Sequence, residues 1–281
     1  MTFIAILIAL MTERFLDFAH VRHWQWFFIY QHWLYQRLAK WSAPWFILTC
    51  LAPPLFITGC IEYLLNGWLY NFPTLLFDII VLLYCFGPRN FWIDSYASMN
   101  ALHHQEQVHA IKTIDSGFGT TDNSSNPQII HQRLINKLYT ESYSRVFSVL
   151  FWFALLGPLG TVLYRMSYLL MSREESPLNS KLKIDTLYIR ELLDWVPVRL
   201  FAFIFALGGH FVKTFSYWQK HLWQKPLLNE DLVIHCGIAA ADITHGDKIL
   251  EDGSAEKNSL ALLDRVYVIT LVILAVFILL T

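Results

Sequence analysis

Pro44 to Leu65 is a run of 22 residues that carries one charge, Glu62, close to its end. About 20 consecutive apolar residues let a helix cross the hydrocarbon core, and inside lipid only helices and closed barrels satisfy their own backbone. Such a run therefore predicts a membrane-spanning helix, kinked at Pro53-Pro54 because proline removes a helix hydrogen bond. Trp68 to Phe86 predicts a second span, with Asp78 inside it. Val266 to Leu280 is a third apolar run, long enough to cross once Leu260 to Leu263 are counted. Two further apolar segments, Val146–Met171 and Val196–Phe211, leave their crossing open. The first is broken by Gly157-Pro158-Leu159-Gly160 and reads either as a kinked span or as a re-entrant hairpin.

Composition agrees with a membrane protein. Hydrophobic residues make up 55% of the 281 and charged residues only 15%, against about 25% charged in soluble domains, and the mean hydropathy is +0.40. Disordered, fibrous and disulfide-stapled classes are excluded. The net charge of −1 gives no case for nucleic-acid binding. The four cysteines form no CxxC pair and read as small buried hydrophobes.

The chain divides by pattern into six stretches. Residues 1–43 predict a short membrane dip and an interfacial helix, because tryptophans and tyrosines alternate there with Arg22, Arg37 and Lys40. Residues 44–86 predict a transmembrane hairpin and 87–145 a helical loop. The broken or re-entrant helix is 146–171. Polar helices follow over 172–265, with a short apolar helix at 196–211, and 266–281 is a C-terminal transmembrane helix. The Asn66-Gly67 turn lacks Lys and Arg, whereas both flanks of the hairpin are rich in them. The positive-inside rule puts those flanks in the cytoplasm. The fold class is all-α: a multi-pass integral membrane protein with a broken helix and polar cytoplasmic helices.

No phosphate loop, dinucleotide fingerprint, zinc-protease or nucleophile-elbow motif is present, and the sequence leaves any cofactor unknown. His103, His104, Glu106 and His109 form the densest set of metal-ligand types, but their spacing spreads them around a helix. They read as a solvated polar face rather than a metal site. Asp78 lies inside an apolar run and must face protein or water. The most informative stretch is Arg190-Glu191-Leu192-Leu193-Asp194-Trp195-Val196-Pro197-Val198-Arg199. Arg190 and Asp194 share a helical face. Pro197 suits the first turn of a new helix, which Asp194 would cap. A hairpin at 146–171 would gather Glu141, Arg165, Asp194 and Arg199 on one side as a ligand pocket, with Glu13, Arg14, Arg145 and Arg190 as further members. Helix N-termini and arginines together suit a small anionic ligand or a nucleotide.

Two long motifs, Phe151 to Arg165 and Leu193 to Leu200, resemble the AmpE family of inner-membrane proteins of Gram-negative bacteria. Glu13-Arg14-Phe15, Gly87-Pro88-Arg89 and Tyr96 fit the same pattern. The resemblance implies a multi-pass protein of the bacterial inner membrane, acting as a sensor or signalling modulator in β-lactamase induction, alongside an amidase that processes muropeptides. More distantly, Phe151-Trp152, Gly157 to Gly160, Tyr164-Arg165 and Pro197 to Leu200 resemble the adenosylcobinamide-phosphate synthase family. There the chain departs. The Glu-Asn pair of those enzymes is Thr140-Glu141 here, their Asn-Thr-Leu-Asp-Ser-Met run becomes the apolar Ser167 to Met171, and their paired Asp is the single Asp194. A metal–ATP site needs such carboxylates, so the reading leans away from an enzyme. An ATP-dependent, amide-forming synthase is the first alternative. The second is a non-catalytic scaffold that presents the polar helices to a cytoplasmic protein partner. In every version the lipid bilayer is a partner.

Overall fold

The computed structural model describes residues 2–16, 22–38, 43–67, 71–87, 90–103, 127–171, 180–243 and 254–280. Among these residues all regular structure is helical, as the membrane-length apolar runs predict. Three helices are long and apolar enough to cross a membrane, through Pro44–Leu65, Ile129–Leu170 and Ser254–Leu280. The protein is an all-α membrane protein. It folds as two compact units, each discontinuous in sequence: 1–88 with 148–195, and 89–147 with 196–281.

The first unit contains α1 (Thr2–Phe15), α2 (Gln25–Leu38), α3 (Ala43–Leu65) and α4 (Phe72–Cys85). α1 turns Ala5, Ile6, Ala9 and Glu13 inward, a stripe at helical spacing that packs on α4. α4 starts with Pro73 in its first turn, where the missing N–H costs nothing. Its 14 residues make it shorter than the other apolar helices. Its buried stripe is Asp78, Val81, Leu82 and Cys85.

Both α3 and α4 pack on a later helix, α7 (Ser148–Met171), numbered after α5 and α6 of the second unit. α7 is broken at Gly157, whose φ of 64° and ψ of −152° leave the helical region. Only glycine adopts such a backbone cheaply. Pro158 follows and has no N–H to return to the carbonyl one turn back. The break expected from Gly-Pro-Leu-Gly is therefore present. Residues 180–195 complete the unit as the first half of α8 (Ser180–Gly208).

α8 corrects one expectation. The sequence predicts a fresh helix at Pro197 with Asp194 as its cap, and a separate short apolar helix at 196–211. The structure instead has one continuous helix of 29 residues with Pro197 inside it. Proline in a helix interior costs about 3 kcal/mol. The following turns offset this by burying Val198, Phe201, Ala202 and Phe205, since each large apolar side chain gains about 1.5–3 kcal/mol on burial. Asp194 is thus a mid-helix residue.

The second unit contains α5 (Phe91–His103) and α6 (Pro127–Ser142), a π-helical turn at Tyr143–Phe147, the second half of α8, α9 (Phe211–His221), α10 (Asn229–Ala240) and α11 (Ser254–Leu280). Its core is aromatic, with Phe201 4.7 Å from Phe147 and 4.6 Å from Phe205 between ring centroids. Two hydroxyls fasten α11 to α6: Tyr139 donates to Ser259 Oγ at 2.8 Å, and Tyr267 donates to the Ser142 carbonyl at 2.9 Å. The turn between α8 and α9 needs Gly209, because a Cβ there would lie 2.3 Å from the Ala240 carbonyl oxygen. His104, Glu106 and His109 lie outside the described residues.

Past α10, Asp242 accepts a hydrogen bond from Lys213 and faces His210 Nε2 at 3.4 Å. The Lys213 bond holds this exposed carboxyl below its ordinary value. Because the folded pKa is depressed, the contribution is present above the unfolded pKa and is lost as pH falls through the folded one. An NMR titration should place the Asp242 midpoint below that of free aspartate, and Lys213→Gln should move it back up. An unmoved midpoint would contradict the assignment.

Candidate functional site

Glu13, Glu141 and Asp194 illustrate one rule: each carboxylate of the predicted set is buried within reach of an arginine. The arginines differ in what else they do.

In the first unit, Arg165 is 2% exposed and Asp194 is 2% exposed. Burying such groups is costly unless they are paired. Arg190 reaches Asp194, with Nε 3.5 Å from Oδ2. Its guanidinium also lies over the Tyr168 ring, 4.6 Å from the centroid, and Arg165 approaches the same ring at 5.1 Å. One aromatic ring therefore serves two cations, and the ring quadrupole favours each. Burial alone would pull Arg190 down; Tyr168 and Asp194 outweigh it and hold the guanidinium above its ordinary value. Arg165, Arg190 and Asp194 lie together here, with Glu191 also within electrostatic reach of Arg190. Such a set is suited to an anionic group. Tyr168 was not singled out in the sequence. Its signal was helical spacing, since it lies three residues after Arg165.

Arg165 also lies within electrostatic reach of Cys85, as does Arg22. Arg22 is the residue that sequence reasoning overlooked, reading it as an interfacial basic residue. It is buried, and it grips Glu13 with both terminal nitrogens, one of them at 3.1 Å from Oε1. It also donates to the Gly87 carbonyl at 3.3 Å. Glu13 and Arg14, adjacent in sequence, are separated by the 100° turn of a helix. Glu13 faces inward and Arg14 is exposed.

In the second unit, Glu141 accepts from Arg145 Nε at 2.6 Å, and Arg145 Nη1 reaches Asp94 Oδ2 at 3.5 Å. Arg199 directs Nε to the Leu222 carbonyl at 2.8 Å, Nη1 to Asn229 Oδ1 at 2.8 Å and Nη2 to the Gln224 carbonyl at 2.9 Å. These acceptors belong to the end of α9 and the chain after it, where helix carbonyls lack internal partners. A buried pair between His131 Nδ1 and Glu256 Oε1, at 2.5 Å, completes the polar framework. Among the described residues no group of His, Cys, Asp and Glu is arranged to hold a metal ion.

Two cavities lie apart from these clusters. One of about 340 Å³ in the second unit is lined by Arg133, Asn136, Lys137 and Glu230 among others. One of about 270 Å³ in the first unit is apolar, lined by residues including Trp24, Pro54, Phe77 and Val162. Its apolar walls do not suit a charged ligand.

A family model described as "Regulatory signalling modulator protein AmpE" matches residues 1–281. A cobalamin biosynthesis protein, CobD, of Stutzerimonas stutzeri (strain A1501) is 26% identical over 211 residues, 73% of this chain and 67% of that protein. Protein AmpE of Shigella flexneri is 27% identical over 165 residues, 55% of this chain and 57% of that protein. The match thus spans little more than half the length of the Shigella protein. No solved structure matches the chain.

Proposed function

The chain belongs to the AmpE family of regulatory signalling modulators, and from that membership we propose that it is a bacterial inner-membrane sensor linked to β-lactamase induction and cell-wall metabolism. Its input is an anionic ligand of the muropeptide kind, taken up at the cytoplasmic face. Arg165 and Asp194 contact the ligand, with Arg190 and Tyr168 beside them. The single observation that carries this reading is the pair of guanidiniums over one tyrosine ring beside a buried aspartate. An anion entering here would meet both guanidiniums. Glu141 and Arg199 hold protein groups and act as positioning residues in this proposal.

Thermal-shift screening of the detergent-purified protein with muropeptides, nucleotides and phosphorylated amines tests it. A ligand at 100 times its dissociation constant stabilises by about 2.7 kcal/mol. Arg165→Gln should weaken binding of the hit by ~1–3 kcal/mol, the range of a charge-assisted contact. An affinity unchanged in a folded Arg165→Gln protein would reject the pocket. The similarity to the CobD protein supports one alternative, an amide-forming synthase. ATP turnover dependent on an amine and a corrinoid carboxylate would favour it instead.

A further inference from the structure

A helix on a soluble core needs two faces, one buried and one wet. α9 has a third. Thr214 is buried and Tyr217 packs on His235 of α10, with ring centroids 5.3 Å apart. Lys220, about 180° round the helix axis from Phe211 at 100° per residue, is exposed. Between these faces Phe211, Phe215 and Trp218 recur at helical spacing as a ladder of rings, with centroids 5.3 Å and 5.5 Å apart. The ladder rests on Phe203 of α8, 5.3 Å from Trp218. Its outer end is open: Phe211 is 47% exposed and the adjoining Val212 75%. Beyond the helix, Trp223 is 82% exposed. It stands between Leu222 and Gln224, whose carbonyls Arg199 holds, so the backbone fixes its place at the surface.

Two neighbours in the same unit relate α9 to the bilayer. The first is α11, which is long and apolar enough to cross. Its last charged residue is Arg265, and Val266 to Leu280 carries none. A Cβ on Gly208 would lie 3.1 Å from Val266 and 3.7 Å from Ile269. α8 therefore ends, and α9 begins, beside the point where α11 turns from charged to apolar. The second neighbour is α8. Val196, Leu200 and Leu207 form an exposed apolar stripe that runs into Phe203 and the ladder, but residues 196–208 are too few to cross. α9 carries charge at both ends, Lys213 bound to Asp242 at its start and Lys220 at its close, with Lys225 just after. A helix that dipped into hydrocarbon would bury one of these sets at high cost. The remaining acids lie to one side: Glu230 and Asp231 open α10, and Asp231 acts on Tyr217, about 120° round α9 from Phe211.

We propose that α9 and the turn after it lie along the lipid surface, with Phe211, Val212 and Trp223 entering the acyl boundary while Lys220 and Lys225 reach lipid phosphates. Aromatic rings favour this zone, and lysine stems extend from an apolar layer to the headgroups. The occupant is lipid because the open rings continue the exposed stripe of α8 and start where α11 enters hydrocarbon. The surface is separate from the arginine cluster and independent of the proposed sensor function.

The test uses the full chain with Cys60, the exposed cysteine of α3, changed to serine. Val212→Cys, Trp223→Cys or Lys220→Cys then carries a single NBD fluorophore. Each protein is placed in nanodiscs of phosphatidylcholine and phosphatidylglycerol in equal parts, with plain or dibrominated acyl chains. Bromination should cut the emission at 212 and 223 by at least half and at 220 by far less. Aqueous iodide should quench in the opposite order. Strong iodide quenching at 212 without loss on bromination would overturn the proposal and leave the face in water. A 212 label shielded from both quenchers would overturn lipid as the occupant and point to a covering protein. Equal bromine quenching at all three positions would overturn the orientation. If Trp223→Cys fails to fold, the 212 and 220 labels decide, since both positions are exposed.

Discussion

Glu13→Ala should lower stability by about 3–5 kcal/mol, the loss typical of breaking one side of a buried ion pair. Glu13 is 1% exposed and Arg22 is 3% exposed. Once the carboxylate is gone, the guanidinium keeps its bond to the Gly87 carbonyl but has lost its counter-charge. The desolvation already incurred then has little to offset it. Chemical or thermal unfolding in detergent would measure the loss. A double substitution sharpens the point. Replacing both partners, as Glu13→Leu with Arg22→Met, removes the buried charges together and should cost much less than Glu13→Ala alone. A Glu13→Ala protein as stable as the parent would refute the pairing.

The second large effect is expected at Arg199, where Arg199→Met should cost about 3–5 kcal/mol. Three acceptors lose their donor at once, the buried Asn229 side chain and the part-buried Leu222 and Gln224 carbonyls, and an unsatisfied buried group costs about 1–3 kcal/mol. Arg199→Lys retains the charge but not the planar fork. An ammonium on a flexible stem cannot meet Leu222, Gln224 and Asn229 in the same geometry, so lysine should recover less than half of the loss. This contrasts with Arg165→Gln, whose main expected effect is on ligand affinity. A protein in which Arg199→Lys unfolds at the parent temperature yet loses ligand binding would make Arg199 a ligand contact and not a strap.

Much of this protein was legible in its residues. Apolar runs such as Pro44–Leu65 declare membrane helices because hydrocarbon leaves the backbone no other way to bond. Gly157-Pro158 declares a break, because Gly permits the left-handed turn and Pro deletes the bond across it. Pro197 shows where local chemistry misleads. The same deletion predicts a helix start, yet apolar burial beyond it carries the helix through.

The pairing of charges was legible only where it is local. Arg190 with Asp194 and Glu141 with Arg145 follow from a spacing of four residues on one helix. Glu13 with Arg22 does not, since the partner lies on another part of the chain and the sequence neighbour Arg14 points away. The strap made by Arg199 joins residues more than twenty positions apart. The sequence by itself determined that the chain is helical, bound to a membrane, broken at Gly157 and rich in arginines beside acids. Which acid meets which arginine was decided by tertiary packing. Helix periodicity fixes the face a residue presents, but only the neighbouring helix fixes what it meets there.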